Sequence, residues 1–297
     1  MRKVEIDKQS GFCAGVIRAI GKAESFLEGG GHHLYSLGAI VHNEAELKRL
    51  GEKGLITLDR NDIYDIPDAR GETILIRAHG QPPKVYRQLS ELGFKVIDCT
   101  CPVVINIQKS IRKAYERLSP IGGTVVIFGK RGHAEVLGLA GQVDDKALIV
   151  ENVGQLQEYI GNGTLDTSRD VDIFSQTTMS PDEYSDVCAW LESAMRDGGT
   201  LCVHKTICSQ VASRHEELTA FARNHDVIIF VSGKTSSNGK VLCDLCKSVN
   251  IRTYHISGVD ELQKAWFGPD DNVGICGATS TPKWLLERTA AAIENLQ

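Results

Sequence analysis

Three cysteines stand in the same kind of sequence context. The segments VEID, KVID and LCVH predict short strands, and they lead to Cys13, Cys101 and Cys208 respectively. Each cysteine is followed by a run with apolar residues at helical spacing. A cysteine at a helix start faces unpaired backbone N–H groups and the positive end of the helix dipole, which stabilise the thiolate. Because the thiolate is the form that binds metal, this context predicts metal ligands.

Three thiolates favour an iron–sulfur centre. They leave a tetrahedral zinc site or a four-cysteine cluster incomplete unless a His or Asp joins them. They can hold three corners of a cubane 4Fe–4S cluster and leave its fourth iron open to substrate, which suits Lewis-acid and electron-transfer chemistry. For any single cysteine the alternative is a structural role as a small buried residue, and the recurrence of the context favours the ligand role.

The other cysteines are interpreted as structural. Cys243 and Cys246 form one C-x-x-C pair with no second pair at zinc-finger spacing. Cys99 ends the strand before Cys101 and is not predicted to be a co-ligand. We expect core positions for the remaining cysteines: Cys188, Cys202 and Cys276.

Short polar clusters follow several predicted strands: IVHN, RAHG, KRGHAE, SQTTMS, SGKTSSN and GATSTP. Ligands of parallel α/β lobes collect at the carboxyl ends of strands, so we expect these clusters to face one cavity. Imidazole, hydroxyl and amide donors at helix starts fit a phosphate or diphosphate, although the same residue types are common in turns and N-caps. The candidate ligand-binding residues are His42, His79, His133, Thr177, Ser236, Ser237, Asn238 and Ser280.

Glu135, in the segment GHAE, is the predicted proton source, because a carboxyl group in a closed cavity can hold a proton near neutral pH. An exposed loop glutamate is the alternative. Nucleotide motifs are not found in the sequence. Ile228 stands where a P-loop containing GKT would need glycine, and no G-x-G-x-x-G follows a predicted strand.

The composition is typical of a globular protein that handles small molecules. The chain has 297 residues, 42% of them hydrophobic, and a formal net charge of -5. Lysine and arginine are scattered, so we expect no nucleic-acid or membrane surface. The start MRKVEIDKQSGFC has no apolar segment, and no run approaches the roughly 18 residues of a spanning helix, which favours the cytoplasm. In that reducing compartment thiols are metal ligands, nucleophiles or core residues rather than disulfides.

Strand-like segments alternate with helical ones, which predicts an α/β fold with mostly parallel sheets. The helical patterns run over 13–29, 103–118, 181–198, 209–224 and 281–296. The strand–cysteine–helix unit recurs at roughly one domain length, about 100 residues. We therefore predict three similar α/β lobes in pseudo-threefold arrangement around a central iron–sulfur cluster. The predicted lobes are residues 14–100, 101–205 and 206–297, with 1–13 packed on the third.

Motifs over nearly the whole chain resemble the LytB family of 4-hydroxy-3-methylbut-2-enyl diphosphate reductases: GFCAGVIRAI, VHN, RAHG, CTCPVV, GHAE, SQTT, TICSQVASR, SGKTSSN and ATSTP. This family performs the last step of the non-mevalonate isoprenoid pathway, a reductive dehydroxylation that yields isopentenyl and dimethylallyl diphosphates. The resemblance implies an iron–sulfur reductase with an allylic diphosphate substrate and with ferredoxin or flavodoxin as electron donor.

The resemblance also implies roles for single residues. Cys13, Cys101 and Cys208 would ligate an oxygen-sensitive 4Fe–4S cluster whose fourth iron takes the substrate hydroxyl. Thr177 and Glu135 would handle that hydroxyl and its proton. The implied diphosphate and substrate contacts are His42, His79, His133, Ser236, Ser237, Asn238 and Ser280. The segment ATSTP stands where GASTP is more usual, and aligning the final S-T-P selects Ser280 over Thr279.

Two other functions fit parts of the pattern. An enzyme like quinolinate synthase would also use three lobes and three cysteines, but it would bind a dicarboxylate product and no diphosphate. An iron–sulfur sensor would bind a partner and catalyse nothing. A polar cavity that contains histidines, hydroxyl groups and a glutamate argues against the sensor.

Overall fold

The computed structural model describes residues 3–296, in which strands and helices alternate. The strands are β1 Lys3–Ile6, β2 Leu34–Leu37, β3 Leu55–Leu58, β4 Thr73–Ile76, β5 Lys95–Asp98, β6 Thr124–Phe128, β7 Leu148–Val150, β8 Val171–Ser175, β9 Leu201–Val203, β10 Val227–Val231, β11 Thr253–Ile256 and β12 Asn272–Gly277. The α-helices are α1 Ala14–Glu28, α2 Glu44–Glu52, α3 Pro83–Leu92, α4 Pro102–Leu118, α5 Ala134–Ala140, α6 Val153–Gly161, α7 Pro181–Ala194, α8 Ser209–Arg223, α9 Ser237–Val249 and α10 Lys283–Asn295. None of the helices in this range is long and apolar enough to cross a membrane.

Within the described range the strands form three four-stranded sheets of equivalent order: β11-β10-β12-β1, β3-β2-β4-β5 and β7-β6-β8-β9. Neighbouring strands run parallel, as in β1 with β12, where Val4 lies beside Val273, and in β6 with β8, where Ile127 lies beside Phe174. The prediction of an α/β fold with parallel sheets is therefore confirmed. In each sheet the last strand in this order is an edge strand that leads into one of the three cysteines of interest.

The chain divides into two compact units. The first unit comprises Met1–Pro67 and Gln210–Gln297, and the second comprises Asp68–Ser209. Strand β1 pairs with β12, so residues 3–6 lie beside the last strand of the chain. The division into three lobes with the boundaries given above stays a prediction.

The core of the first unit lies on both faces of β10, which is buried along its whole length, as a strand covered on both sides requires. On one face Ile229 shares an apolar cluster with Leu286 of α10. On the other face Phe230 shares a cluster with Cys243 and Cys246 of α9. Burial raises the pKa of the Cys243 thiol to about 11. The C-x-x-C pair is thus part of the core, as expected for structural cysteines.

The core of the second unit covers β6 and β8 in the same way. Ile127 of β6 clusters with Ile111 of α4 and Leu139 of α5 on one face of the sheet. On the other face Phe128 stacks on Tyr184 of α7, with ring centroids 5.8 Å apart. Two helical layers therefore fix the strands whose carboxyl ends carry the candidate site residues.

The core prediction for the other cysteines is only partly correct. Cys99 and Cys276 are fully buried, and Cys188 is partly buried. The prediction for Cys202 is wrong, because this residue is exposed on β9, the edge strand of its sheet. All nine cysteines lie within residues 3–296, and none of them forms a disulfide bond.

Truncation of the buried strand should destabilise the fold much more than truncation of a surface residue of the same type. Ile229 is 0% exposed, so Ile229→Ala should lower the free energy of unfolding by about 3 kcal/mol. Ile251 is 94% exposed, so Ile251→Ala should change it by less than about 0.5 kcal/mol. Urea unfolding of both variants measures the difference, and equal effects would contradict this description of the core.

Candidate functional site

Each of the three predicted ligand cysteines lies at the start of a helix. Cys13 and Cys101 are the N-cap residues of α1 and α4, with extended backbone and no capping hydrogen bond from their side chains. Their carbonyl groups accept the first helical hydrogen bonds, from the N–H groups of Ile17 and Ile105, both at 2.9 Å. Cys208 immediately precedes α8. All three are partly exposed.

One backbone hydrogen bond recurs at the three cysteines. In each case the cysteine N–H donates to the carbonyl oxygen of the second residue after the neighbouring strand, which is β12, β4 or β8. The bonds are Cys13 N–H to Thr279 C=O at 3.1 Å, Cys101 N–H to Ala78 C=O at 2.9 Å, and Cys208 N–H to Thr177 C=O at 3.0 Å. The cysteines are thereby fixed to the ends of sheets.

A buried ion pair holds the segment that leads into Cys13. Arg214 of α8 is only 4% exposed and pairs with Asp7, directly after β1. The Ser10 hydroxyl donates to Asp7 Oδ2 at 2.7 Å and accepts hydrogen bonds from Arg214 Nη2 and from Gly277 N–H, both at 2.8 Å. A charge pair removed from water is tolerated only when it is well hydrogen-bonded. This network therefore fixes the backbone ahead of Cys13.

In the second unit Glu135 and Thr177 form a closed pair. Glu135 is 1% exposed, so the alternative of an exposed loop glutamate is wrong. Its Oε1 accepts a hydrogen bond from Thr177 N–H and its Oε2 accepts one from the Thr177 hydroxyl, both at 2.7 Å. Burial raises the pKa of the Glu135 carboxyl, although the two hydrogen bonds act in the opposite direction. Since the Thr177 carbonyl also holds Cys208, one residue contacts both an acid and a candidate ligand.

Two of the predicted histidines lie together in the second unit. The rings of His79 and His133 pack edge to face, with centroids 5.3 Å apart. His133 is the N-cap of α5, and its Nδ1 accepts a hydrogen bond from Glu135 N–H at 3.2 Å. A neutral ring with this acceptor carries its proton on Nε2. Gly80 follows His79 with a φ of +69, a left-handed conformation that favours glycine, and a Cβ there would lie 2.9 Å from Thr100 Cγ2.

In the first unit the predicted hydroxyl and amide groups form a connected set. Ser236 is the N-cap of α9, where its Oγ accepts a hydrogen bond from Gly239 N–H at 3.0 Å, and its hydroxyl lies 3.2 Å from that of Ser280. Asn238 Nδ2 donates to Thr279 Oγ1 at 3.0 Å. Thr279 also holds Cys13 through its carbonyl. The start of α9 is thereby linked to a candidate ligand cysteine.

His42 also lies in the first unit, next to the loop before α9. It is half-buried and precedes Asn43, whose Oδ1 caps α2 by accepting a hydrogen bond from Glu46 N–H at 3.0 Å. A Cβ on Gly233 would lie 2.2 Å from the His42 carbonyl oxygen, so the loop contacts the His42 backbone where only glycine fits. The cap and this close approach together fix the position of His42.

The structure thus brings the predicted residues together in two sets. The second unit holds Cys101, Cys208, Glu135, Thr177, His79 and His133. The first unit holds Cys13, His42, Ser236, Ser237, Asn238 and Ser280. That all of them face one cavity stays a prediction.

Sequence reasoning gave no role to two residues of the first unit. Thr279 contacts both Asn238 and Cys13, although Ser280 is the residue selected by the S-T-P motif. Arg214 lies within the segment TICSQVASR, and its burial beside Asp7 has no signal in the local pattern. A buried arginine of this kind can be found only once the partner carboxylate, far away in sequence, is known.

The three cysteines suit an iron–sulfur cluster by the chemistry of their donors. Thiolates are the usual ligands of such clusters. The sulfur atoms of Cys13 and Cys101 are not used as helix caps, and all three residues stay partly exposed on backbone that is fixed by hydrogen bonds. The set therefore fits a group that needs three thiolate ligands from rigid elements.

Comparison of the sequence with known proteins gives full-length matches. The family model described as LytB protein matches residues 4–294. A protein of Bacteroides fragilis named 4-hydroxy-3-methylbut-2-enyl diphosphate reductase is 44% identical over 294 residues, 99% of this chain and 98% of that protein. A protein of the same name from Porphyromonas gingivalis is 44% identical over 298 residues, 100% of both chains.

Solved structures with the same fold carry similar names. The E-1-hydroxy-2-methyl-but-2-enyl-4-diphosphate reductase from Plasmodium falciparum matches with a TM-score of 0.85, covering 99% of this chain and 88% of that one. Its sequence identity of 24% means that it shows the fold alone. An (E)-4-hydroxy-3-methyl-but-2-enyl diphosphate reductase, described as the terminal enzyme of the non-mevalonate pathway, matches with a TM-score of 0.70 and 32% identity, covering 99% of both chains.

The buried carboxyl group should give stability a particular pH dependence. The pKa of Glu135 is raised above its ordinary value of 4.5, so the folded state keeps a proton that the unfolded chain releases. Stability is then lost as the pH rises above 4.5, because the folded state binds more protons than the unfolded state. In Glu135→Gln the side chain does not titrate, and its amide can bond to Thr177 in the same geometry. The variant should therefore gain stability relative to the wild type as the pH rises.

Urea unfolding of both proteins over a range from acidic to mildly alkaline pH measures this effect. The exposed Glu287 offers the matched control for the removal of a carboxylate, since a surface substitution such as Glu287→Gln should change the free energy of unfolding by less than about 0.5 kcal/mol. Parallel curves for the wild type and Glu135→Gln would mean that Glu135 is ionised in the folded protein.

Proposed function

Because this chain belongs to the LytB family, we propose that it is a 4-hydroxy-3-methylbut-2-enyl diphosphate reductase. The reaction adds two electrons and two protons to the allylic alcohol, breaks its C–O bond, and releases water with isopentenyl or dimethylallyl diphosphate. The structural observation that supports the proposal most strongly is the set of hydrogen bonds made by Thr177. Its carbonyl holds Cys208, and its N–H and hydroxyl hold the buried Glu135. Thr177 thus contacts both a candidate metal ligand and a carboxyl group with a raised pKa.

The proposed metal ligands are Cys13, Cys101 and Cys208, which would hold one 4Fe–4S cluster. When bound, such a cluster supplies electrons and, at the iron without a protein ligand, a Lewis-acidic position. The support lies in the equivalent placement of the three thiols: each follows an edge strand, starts a helix, and has its N–H held by the neighbouring strand end. The protein's own contribution is to orient these sulfur atoms and keep their positions rigid.

Glu135 and Thr177 are the proposed catalytic pair that protonates the departing hydroxyl group. Glu135 Oε1 already accepts the Thr177 N–H, so a proton held by this acid is most favourably carried on Oε2. From Oε2 the acid O–H can donate to Thr177 Oγ1, at 2.7 Å, which leaves the Thr177 hydroxyl hydrogen available to the substrate oxygen. The pair can therefore pass one proton outwards in two short steps, and burial favours the protonated form of Glu135 by raising its pKa.

The proposed substrate contacts are hydroxyl, amide and imidazole groups: His42, His79, His133, Ser236, Ser237, Asn238 and Ser280. The start of α9 favours an anion, because the first backbone N–H groups of the helix and the positive end of its dipole lie there. Asn238 Oδ1 is buried and accepts no hydrogen bond from the residues that the structure describes. If the amide rotates by 180°, Nδ2 takes that position as a donor and Oδ1 accepts from the Thr279 hydroxyl. A diphosphate oxygen needs such a donor.

The electron donor would be a small low-potential carrier protein, ferredoxin or flavodoxin. We also propose that the enzyme works in the cytoplasm, because partly exposed thiols that are not in disulfides need a reducing compartment.

Removal of a ligand thiol tests the cluster assignment. Each of Cys13→Ser, Cys101→Ser and Cys208→Ser should lose the stable cluster, measured as iron and sulfide bound per chain after anaerobic purification. Cys243→Ser and Cys202→Ser are the controls, the first in the core and the second on the surface, and both should keep the wild-type iron content. Loss of iron from the controls to the same extent would refute the assignment.

Turnover tests the reaction and the proton pair. The cluster-loaded protein, reduced viologen and 4-hydroxy-3-methylbut-2-enyl diphosphate should give rapid dye oxidation and both five-carbon diphosphates under anaerobic conditions. Glu135→Gln should keep the cluster but lose at least about a hundredfold in turnover, since the amide cannot supply the proton. Near-normal turnover in this variant would remove Glu135 from the mechanism, and no turnover by the intact wild type would disprove the proposed function.

A further inference from the structure

A cleft of about 590 Å³ opens beside Cys13 in the first unit. Its walls come from the segment before α1, the first turns of α1 and α8, and the start of α10. Cys13 lines this cleft, whereas the serine, asparagine and histidine residues proposed to bind substrate are not among its lining residues. The cleft therefore reaches a proposed cluster ligand without being lined by the proposed substrate contacts, although Thr279 on its wall accepts a hydrogen bond from Asn238.

The cleft is positively charged in a chain that is negatively charged overall. Lys8 and Lys283 line it and are exposed, and Glu217 is the carboxylate on its wall. Arg214 also lines it, but Asp7 neutralises this buried guanidinium. The formal net charge of the whole chain is -5, whereas the exposed charged residues that line the cleft are two lysines and one glutamate.

The exposed side of α1 continues this surface. Ile17 lines the cleft and is 60% exposed, so it offers an apolar contact to a molecule bound there. Arg18 and Lys22 are exposed on the same helix, and the first turn of α1 has no acidic residue. A small apolar contact among charges that are mostly of one sign is typical of weak, transient complexes, in which complementary charge sets the rate of encounter.

We propose that this cleft is the docking site of the acidic one-electron carrier protein that reduces the enzyme. The proposal rests on the proposed function, because it takes Cys13 as a ligand of the cluster. A carrier seated against Ile17, with its carboxylates on Lys8 and Lys283, would contact the backbone of that ligand. Two reduced carriers would each lose one electron per turnover, and the substrate takes both electrons and two protons as its C–O bond breaks and water leaves.

Binding measurements test the docking site without turnover. The probes are an oxidised 2Fe–2S ferredoxin and, separately, an oxidised flavodoxin, each titrated calorimetrically into the cluster-loaded protein at low and at high salt. Lys8→Glu combined with Lys283→Glu should weaken binding about tenfold at low salt and reduce its salt dependence. Glu217→Lys should act in the opposite direction and tighten binding. Lys48→Glu combined with Arg223→Glu, on exposed positions that do not line the cleft, is the matched control and should bind as the wild type does.

Kinetics with two reductants separate docking from catalysis. With the carrier as reductant, the lysine variant should raise the KM for the carrier, while its viologen-driven turnover and its iron content stay at wild-type values. Equal dissociation constants for the lysine variant and the control variant, or no binding of either probe by the wild type, would overturn the docking site. Absence of viologen-driven turnover in the wild type would instead disprove the proposed function, and the binding data would still decide the docking site.

Discussion

The arrangement of the candidate site depends on one backbone hydrogen bond that is made three times. A cysteine that follows an edge strand donates its N–H to the carbonyl two residues beyond the neighbouring strand, as Cys13 does to Thr279. This bond continues the backbone hydrogen bonding between the two strands beyond the point where both strands end. The cysteine is therefore held by the sheet, although it lies outside the strand and directly before a helix. Once the backbone is fixed in this way, only the χ1 angle of the cysteine remains to set the position of its sulfur atom.

The same strand ends also explain why a buried acid is tolerated in the second unit. Both Glu135 oxygens have a hydrogen-bond partner, and both partners belong to Thr177, whose position is set by the bond to Cys208. Burial alone would favour the neutral acid, and the two hydrogen bonds reduce this effect without removing it. The result is a carboxyl group that can hold a proton and whose position is fixed relative to Cys208. A surface glutamate on a mobile loop would offer neither property.

The sequence was sufficient to predict the fold class and the starts of several helices, because these depend on local periodicity and on the order of strands and helices. Helix α4 begins within one residue of the predicted pattern, and α8 begins where predicted. Helix α9 was not predicted, since its first turn contains the polar segment that was interpreted only as a strand end. Cys202 was misplaced because a short apolar run does not reveal whether its strand is central or at an edge. The contacts of Thr279 depend on strand pairing between distant segments, which no local pattern contains.

The buried ion pair between Asp7 and Arg214 has a physical reason in the order of the strands. Single crossovers through α3 and α7 connect β4 to β5 and β8 to β9, so chain connectivity itself keeps each cysteine-bearing edge beside its neighbour. Strands β12 and β1 are equivalent neighbours but come from opposite ends of the chain. No short segment of the chain joins β1 to β12. Bringing them together closes a loop of nearly the whole chain, which costs conformational entropy. The network of Asp7, Ser10 and Arg214, which reaches Gly277 at the end of β12, supplies the local restraint that a crossover helix gives elsewhere. The position of Cys13 therefore depends on a charged hydrogen-bond network. The positions of Cys101 and Cys208 depend instead on the crossover helices that join their two neighbouring strands.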